Sequence, residues 1–439
     1  MTEDNNKDVN KESSKIVEPV DYRTQDFKYD DVPKRKIKKV NTTFRRTQMS
    51  NFGLFFSKLY QPLSIQKIML ITIAMAIFFG ALSVFFVKNI GIYNFGLAAI
   101  GQSVAKIVAV NTTELPHFIS NLIDQIIFWL AYIILSIPIF IFGYKKIGKF
   151  FIFVTVVFLL ISSMVSIGIG LIPGANDVFI IGDFSNPVVK EALPENQKHL
   201  SSVIPLMWSD GGNIAALLVY ATFYGVVLAF IFAIIQIIGG TAGVTGIVGE
   251  WYANVKQKSF GTISGYMNII IVIFSVLVGS WLPGSILLQN AKQNFLTTNN
   301  IDTAFIPKEM AAVFNKAWNF ELYLSPNFVA TVFINVLYIV VLNKIYPKFK
   351  LVRLEIYSPL WEEIQNKIKN DRKIVAGSTV FRARGGYKSK KINVLVSVIL
   401  FRHVLRIIHD VRKIDKDAFI SISNVRSIDG WIYLPDKNF

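Results

Sequence analysis

Gly239-Gly240-Thr241-Ala242-Gly243-Val244-Thr245-Gly246-Ile247-Val248-Gly249-Glu250 is the stretch on which the reading of this chain turns. An apolar run at 214–238, long enough to cross a bilayer, leads into it, and a second, 263–282, begins soon after. Glycine at this density makes poor helix, because glycine loses more backbone freedom on ordering than any other residue. Non-helical backbone at membrane depth survives only where it is buried in protein or lines a wet cavity. Broken segments of this kind are where membrane transporters build their sites. Close helix packing also demands small residues, so Gly240, Gly243 and Gly246, which recur every three residues, carry both readings.

The stretch has an echo. Gly96-Leu97-Ala98-Ala99-Ile100-Gly101-Gln102-Ser103-Val104 lies on 240–248 without a gap, and it too sits between apolar runs. The chain therefore reads as two similar halves.

Hydrophobic residues make up 52% of the 439 and charged residues 17%, and the mean hydropathy is +0.46. So many apolar runs define an α-helical polytopic membrane protein. The first run starts near Ile68 with no charged stub, short apolar core and small-residue cleavage site before it, so no cleaved signal peptide is expected. Cysteine is absent, which excludes disulfides, thiolate metal sites and cysteine nucleophiles. His117, His199, His403 and His409 have no metal-ligand spacing. The phosphate-cradling, zinc-protease and nucleophile-elbow motifs are missing, so neither an enzyme nor a cofactor is expected.

The net charge of +17 is concentrated at two places. Lys34, Arg35, Lys36, Lys38, Lys39, Arg45 and Arg46 precede the first span, and the region after Asn343 is also basic. Basic residues beside membrane spans mark the cytoplasmic side. The N-terminal cluster is expected to hold anionic lipid; nucleic acid would need a folded basic module.

Residues 1–50 are polar and of mixed charge and read as a disordered cytosolic tail. The transmembrane domain is 51–346, with spans at 68–87, 122–142, 150–172, 213–238, 262–282 and 328–345. Repeat one is 68–172, repeat two 213–346, with a polar connection at 173–212 between them and a second polar stretch at 283–326. Lys145, Lys146 and Lys149 place the end of the second span inside, so the echo segment at 91–110 enters and leaves on one side. Each half then has three spans and one re-entrant segment. Three is odd, so the halves are inserted upside down relative to each other, an inverted repeat. A rival count, in which the glycine segments cross fully and the repeats are parallel, puts those lysines outside. Both termini are expected in the cytoplasm.

The remainder, 350–439, is soluble in character. It reads as strand 351–357, helix 359–369, strand 373–384, turn 385–389, strand 391–400, helix 401–413 and strand 418–425. The order βαββαβ predicts a ferredoxin-like domain, an antiparallel sheet backed by two helices. Such domains join subunits in other proteins, so a homo-oligomer is expected by analogy.

These residues bring a family into view. From 68 to 432 the chain resembles the YitT-like family of bacterial integral membrane proteins. The markers are Ile137-Pro138-Ile139-Phe140-Ile141-Phe142-Gly143-Tyr144-Lys145-Lys146-Ile147-Gly148, then Gly239 to Gly246, then Gly385-Gly386-Tyr387 and Ala418-Phe419-Ile420-Ser421-Ile422-Ser423-Asn424-Val425-Arg426. The sequence departs from the family pattern at Thr245-Gly246 and Lys388-Ser389. The resemblance implies a cell-membrane protein of transporter type with a small cytosolic C-terminal module.

The candidate substrate site follows from the two glycine segments and their neutral polar neighbours: Gly240, Thr241, Gly243, Thr245, Gly246, Gly96, Gly101, Gln102, Ser103 and Asn268, with Asp124 as a partner for Lys106. Glu250 and Asn121 are further polar groups near the spans. In the C-terminal domain Arg382, Arg384, Gly385, Gly386, Tyr387 and Lys390 form a basic turn that reads either as a solvated basic face or as a site for an anionic regulator. The function expected is transport of a small solute by alternating access. A permease subunit of an ATP-driven complex and a non-transporting sensor or scaffold stand as alternatives.

Overall fold

The computed structural model describes residues 63–428, apart from 113–116, 173, 176–177, 257, 300–305, 348, 372–375, 387–390 and 426–427, and without the side chains of 117–125, 129, 196 and 298–299. The basic cluster at 34–46, the side chains of Asp124 and Asn121, and Tyr387 and Lys390 therefore lie outside the described residues.

Among the described residues six helices are long and apolar enough to cross a membrane. α1 (Ile65–Leu82) starts where Ser64 accepts a hydrogen bond from the Lys67 N–H, and it continues through a π-helical turn to Lys88. A short helix, α2 (Leu97–Asn111), follows, then α3 (His117–Lys146) and α4 (Lys149–Gly170). The second half begins after the short α5 (Pro187–Ala192) and a 3₁₀ turn at Glu195–Val203. It consists of α6 (Gly211–Ile237), the short α7 (Thr245–Lys256), α8 (Phe260–Val276) and, after three further helices given below, α12 (Pro326–Ile345).

The expected polar stretch at 283–326 departs from the reading. α8 passes through a π-helical turn, Leu277–Trp281, straight into α9 (Leu282–Asn299). Pro283 does not end the helix, because it falls in the first turn after the π segment, where its missing N–H costs little. Leu287, Leu288 and Ala291 of α9 then pack with α5, the 3₁₀ turn, α10 (Lys308–Phe314) and α11 (Phe320–Tyr323) in a separate apolar cluster that caps one end of the bundle.

Glycine sets the helix contacts. A Cβ on Gly80 of α1 would lie 2.6 Å from the Ser162 carbonyl of α4, and one on Gly225 of α6 would lie 3.3 Å from the Ile334 carbonyl of α12. Gly101 of α2 faces the Phe128 carbonyl of α3 at 3.2 Å, and Gly249 of α7 faces Phe260 of α8 at 3.4 Å. Two further contacts cross between the halves. Gly143 of α3 receives Ile247 of α7, and Gly279 after α8 receives Ser103 of α2. Each short helix thus rests on the second long helix of both halves.

α1 and α4 run parallel: Gly80 meets Ser162, and Asn89, just past α1, bonds to Ala175 just past α4. The Lys145–Lys149 turn therefore lies at the end of the bundle where α1 starts, opposite the cap. The C-terminal sheet follows α12 at that same end, where Tyr346 packs on Phe260 at the start of α8.

Beyond α12 the order is β1 (Leu351–Tyr357), α13 (Trp361–Asn370), β2 (Thr379–Arg384), β3 (Lys391–Leu400), α14 (Val404–Ile414), β4 (Phe419–Asn424). The sheet order is β2-β3-β1-β4 and every pairing is antiparallel. Val352, Leu354 and Ile356 alternate inward from β1 and meet Ile364 and Ile368 of α13 and Val404, Ile407 and Val411 of α14. Arg406 clamps Asp371 through two bonds of 2.7 and 2.9 Å, joining α14 to the end of α13.

Candidate functional site

α2 and α7 begin inside the bundle, and their starts touch. After α1 reaches the cap end, Asn89 Nδ2 donates to the carbonyls of Ala175 and Val178 at 2.9 and 3.2 Å. The chain then turns inward through residues 90–96, held by Asn327 Nδ2, which donates to the Ile90 and Gly91 carbonyls at 3.2 and 3.0 Å. Gly96 turns it back with φ +60°, a conformation that only glycine adopts without strain. α2 returns to the cap, where Ala109 and Val110 join the cap cluster.

The second break runs from the other end. Past α6 the chain turns at Gly239, Gly240 packs on Val154, and the Thr241 N–H donates to Thr155 Oγ1 at 3.1 Å. α7 then starts at Thr245, whose hydroxyl and methyl lie where a Gly96 side chain would be.

Both starts open on one cavity of about 280 Å³. Leu97 and Ala98 line it from α2, and Gly243, Val244 and Thr245 from the start of α7. Among the described residues, the backbone N–H groups of Leu97, Ala98, Val244 and Thr245 donate no hydrogen bond. They are the orphan donors that every helix start carries. Phe79, Phe95, Phe128, Tyr132, Tyr224 and Phe232 supply an aromatic wall, and Lys88, Lys106 and His199 the charged or titratable groups. Lys106 holds its ammonium over the Tyr93 ring, 5.7 Å from the centroid.

Four of the sequence candidates meet on this wall: Gly243, Thr245, Gln102 and Asn268. Gln102 Oε1 accepts from the Asn94 backbone and Nδ2 at 3.4 and 3.3 Å. Asn268 is 2% exposed, and its Oδ1 has no hydrogen-bond partner. Gly96, Gly101, Gly240, Thr241, Gly246 and Ser103 stand behind the wall and pack. Ser103 Oγ, for example, bonds to the Ala99 and Ser275 carbonyls at 2.8 and 2.9 Å. Glu250 is buried behind α7, where Gln236 Nε2 donates to it at 2.5 Å and Asn254 Nδ2 at 3.3 Å.

Lys88, Asn94 and His199 escaped the sequence reading. Lys88 ends the first apolar run, a position that could have flagged it. His199 arrives only because the cap folds its 3₁₀ turn over the cavity, and no local pattern announces that. Among the described residues no cluster of acidic or histidine side chains could hold a metal ion.

In the C-terminal domain Arg382 and Arg384 lie exposed on the edge strand β2, with Gly385 and Gly386 at its end. Burial, with Arg402 and Arg406 nearby, pushes the His403 imidazole down to about 4.

Six membrane-length helices around such a cavity, followed by a small antiparallel domain, are the architecture of a multi-pass membrane protein. The chain belongs to the family of the Mycoplasma genitalium "Uncharacterized protein MG443", to which it is 31% identical over 89% of its length and 94% of the relative's. The MG443 homologue of Mycoplasma pneumoniae is 30% identical over 90% and 94%, and Mycoplasma genitalium "Uncharacterized protein MG432" is 29% identical over 90% and 94%. Residues 376–430 match the family model DUF2179, described as an uncharacterized protein conserved in bacteria. That match takes in β2, β3, α14 and β4 but leaves out β1, the strand that pairs with both β3 and β4. No solved structure matches the chain.

Proposed function

We propose that the chain is a YitT-like transporter of the cell membrane that moves a small solute by alternating access, without enzymatic chemistry and without a cofactor. The observation that carries this reading is the cavity lying where two half-length helices, one from each half of the chain, meet inside the bundle. Transporters place their substrates at such breaks, near the midplane and between repeats.

The helix contacts support an inverted repeat. In each half the first long helix packs on the third and the short helix on the second, and each short helix also packs on the second long helix of the other half. The helix starts pair Leu97 with Thr245 and Gly101 with Gly249, one turn on from the gapless alignment of 96–104 with 240–248. Small residues recur every turn here, so the sequence matches itself in more than one register. α2 re-enters from the cap end and α7 from the sheet end. Lys145, Lys146, Lys149, Lys256 and Lys344 gather at the sheet end, which supports placing that end and both termini in the cytoplasm. The strand order β4-β1-β3-β2 supports a ferredoxin-like module for regulation or self-association, with Arg382 and Arg384 toward an anionic regulator, and Lys34 to Arg46 toward anionic lipid.

The test uses the absence of cysteine. Ala98→Cys places one thiol on the cavity wall. Alternating access requires a membrane-impermeant maleimide to reach it in right-side-out and in inside-out vesicles alike. Labelling from one side only, under every solute condition, removes the reading.

A further inference from the structure

The cavity has a chemistry of its own, and it is electropositive. α2 and α7 both point their starts into it, with the N–H groups of Leu97, Ala98, Val244 and Thr245 undonated among the described residues. A helix start carries roughly half a positive charge, effective within its first turn. Two starts in contact repel each other unless negative charge lies between them. At α2 the side-chain cap that ordinarily quenches it is missing, since Gly96 stands at the cap position and no cap bond is made there, and Val244, just before α7, has no polar side chain to offer.

A second observation is independent of the helix ends. Asn268, on α8, is 2% exposed and lines the same cavity, and its Oδ1 has no hydrogen-bond partner among the described residues, so no hydrogen bond to that oxygen fixes the amide, which is free to turn its Nδ2 donor toward an anionic ligand. A buried amide oxygen left without a partner is costly, so its place on a cavity wall marks a ligand contact. Lys88 and Lys106 also line the cavity, and the described lining residues include no carboxylate. The aromatic wall alone would also suit a cation, but a cation would face two positive helix ends with no described counter-charge.

We propose that this cavity takes a small organic anion: an acidic head group seated between the starts of α2 and α7 and beside Asn268, with a short apolar body along Phe95, Tyr224 and Phe232. The inference rests on the reading of the cavity as the transport site and names its class of solute. The cavity volume of about 280 Å³ lies just below the usual range for ligand pockets, so the solute is small.

The experiment measures thermal stabilisation of the full-length detergent-purified protein by carboxylates from butyrate to octanoate and benzoate, by the matching primary amines, and by inorganic phosphate. Carboxylates are expected to stabilise saturably and amines not at all. Asn268→Asp keeps the side-chain size and places a carboxylate on the wall, and it should weaken carboxylate binding at least about tenfold by like-charge repulsion. Should that variant not fold, Gln102→Glu makes the same test, since the Asn94 donors already serve an oxygen at that position. Stabilisation by amines, a silent carboxylate series, or unchanged carboxylate affinity in the folded acidic variants overturns the proposal. Stabilisation by phosphate alone overturns the apolar body. Flux of the same compounds into proteoliposomes separates the two readings. Carboxylates that bind but do not move defeat transport and leave the anion site standing; amines that move defeat the anion and leave transport standing.

Discussion

The two short helices start at one point of the bundle but are written in different sequence. Between 239 and 249 there are five glycines, whereas 91–101 holds three. The sparser segment nevertheless has more backbone in the conformation glycine favours: Gly91 and Gly96 have φ of +76° and +60°, whereas in the richer segment only Gly239, at +98°, does. The remaining glycines of the rich segment are there for space. Gly240 lets Val154 approach to 2.5 Å of its missing Cβ, and Gly246 is covered by Thr241. Gly243 alone meets nothing closer than Phe232, at 3.6 Å. Glycine density therefore marked the break correctly without revealing which glycine does which job: one turns the chain, others admit neighbours, and one leaves a wall open.

The sharpest way to break this comparison is Gly96→Ala. The methyl faces an unfavourable φ and collides with Thr245 at once. Strain of the first kind costs about 1–3 kcal/mol and overpacking a similar amount, so a loss of about 3 kcal/mol or more is expected in detergent unfolding. Adding Thr245→Ala should return only the packing part. Full recovery in the double variant would show that the turn at Gly96 carries no strain.

Gly246→Ala should cost less, about 1–2 kcal/mol, within the usual range for overpacking. The atoms nearest to its methyl all belong to the Thr241 side chain, which is buried and whose hydroxyl can rotate away. A cost as large as that of Gly96→Ala would mean that Thr241 is locked and that the rich segment is the more strained of the two.

What the sequence disclosed follows from how locally each feature is encoded. Apolar runs announced the six long helices, and the strands read at 351–357 and 391–400 have the bounds of β1 and β3. The cap was hidden. Val189, Leu200, Leu288 and Phe314 form its core from four separate segments that look polar when taken singly. The end of the fifth long helix was hidden too, because Pro283 reads as a breaker unless the π turn before it is known. Of the residues that line the cavity, Gly243, Thr245, Gln102 and Asn268 were legible as small or polar residues beside or within apolar runs. Gly240, Gly101 and Ser103 share that description but face neighbouring helices, and only the third dimension tells the two groups apart.

The smallest change in stability is expected at Gly243, and the proposed transport function predicts the largest loss of uptake there. Its φ is not in the glycine-favoured region and a methyl has room, so Gly243→Ala should leave stability unchanged or raise it by up to about 1 kcal/mol through the unfolded chain. Gly243→Leu extends the side chain toward Phe232, across the cavity that both short helices open on. Apart from the edge of the Phe232 ring, at 3.6 Å from the Cβ position, no other atom lies within 4 Å and the space beyond is the cavity itself, so overpacking should be slight and the melting temperature should stay near that of the parent. The same side chain occupies the volume a solute needs, so solute-dependent stabilisation and vesicle uptake should both vanish, with Gly243→Ala intermediate. A Gly243→Leu protein that unfolds early would place Gly243 with Gly246 as a packing position. One that is stable and still takes up solute would show that the cavity between the helix starts is not on the transport path.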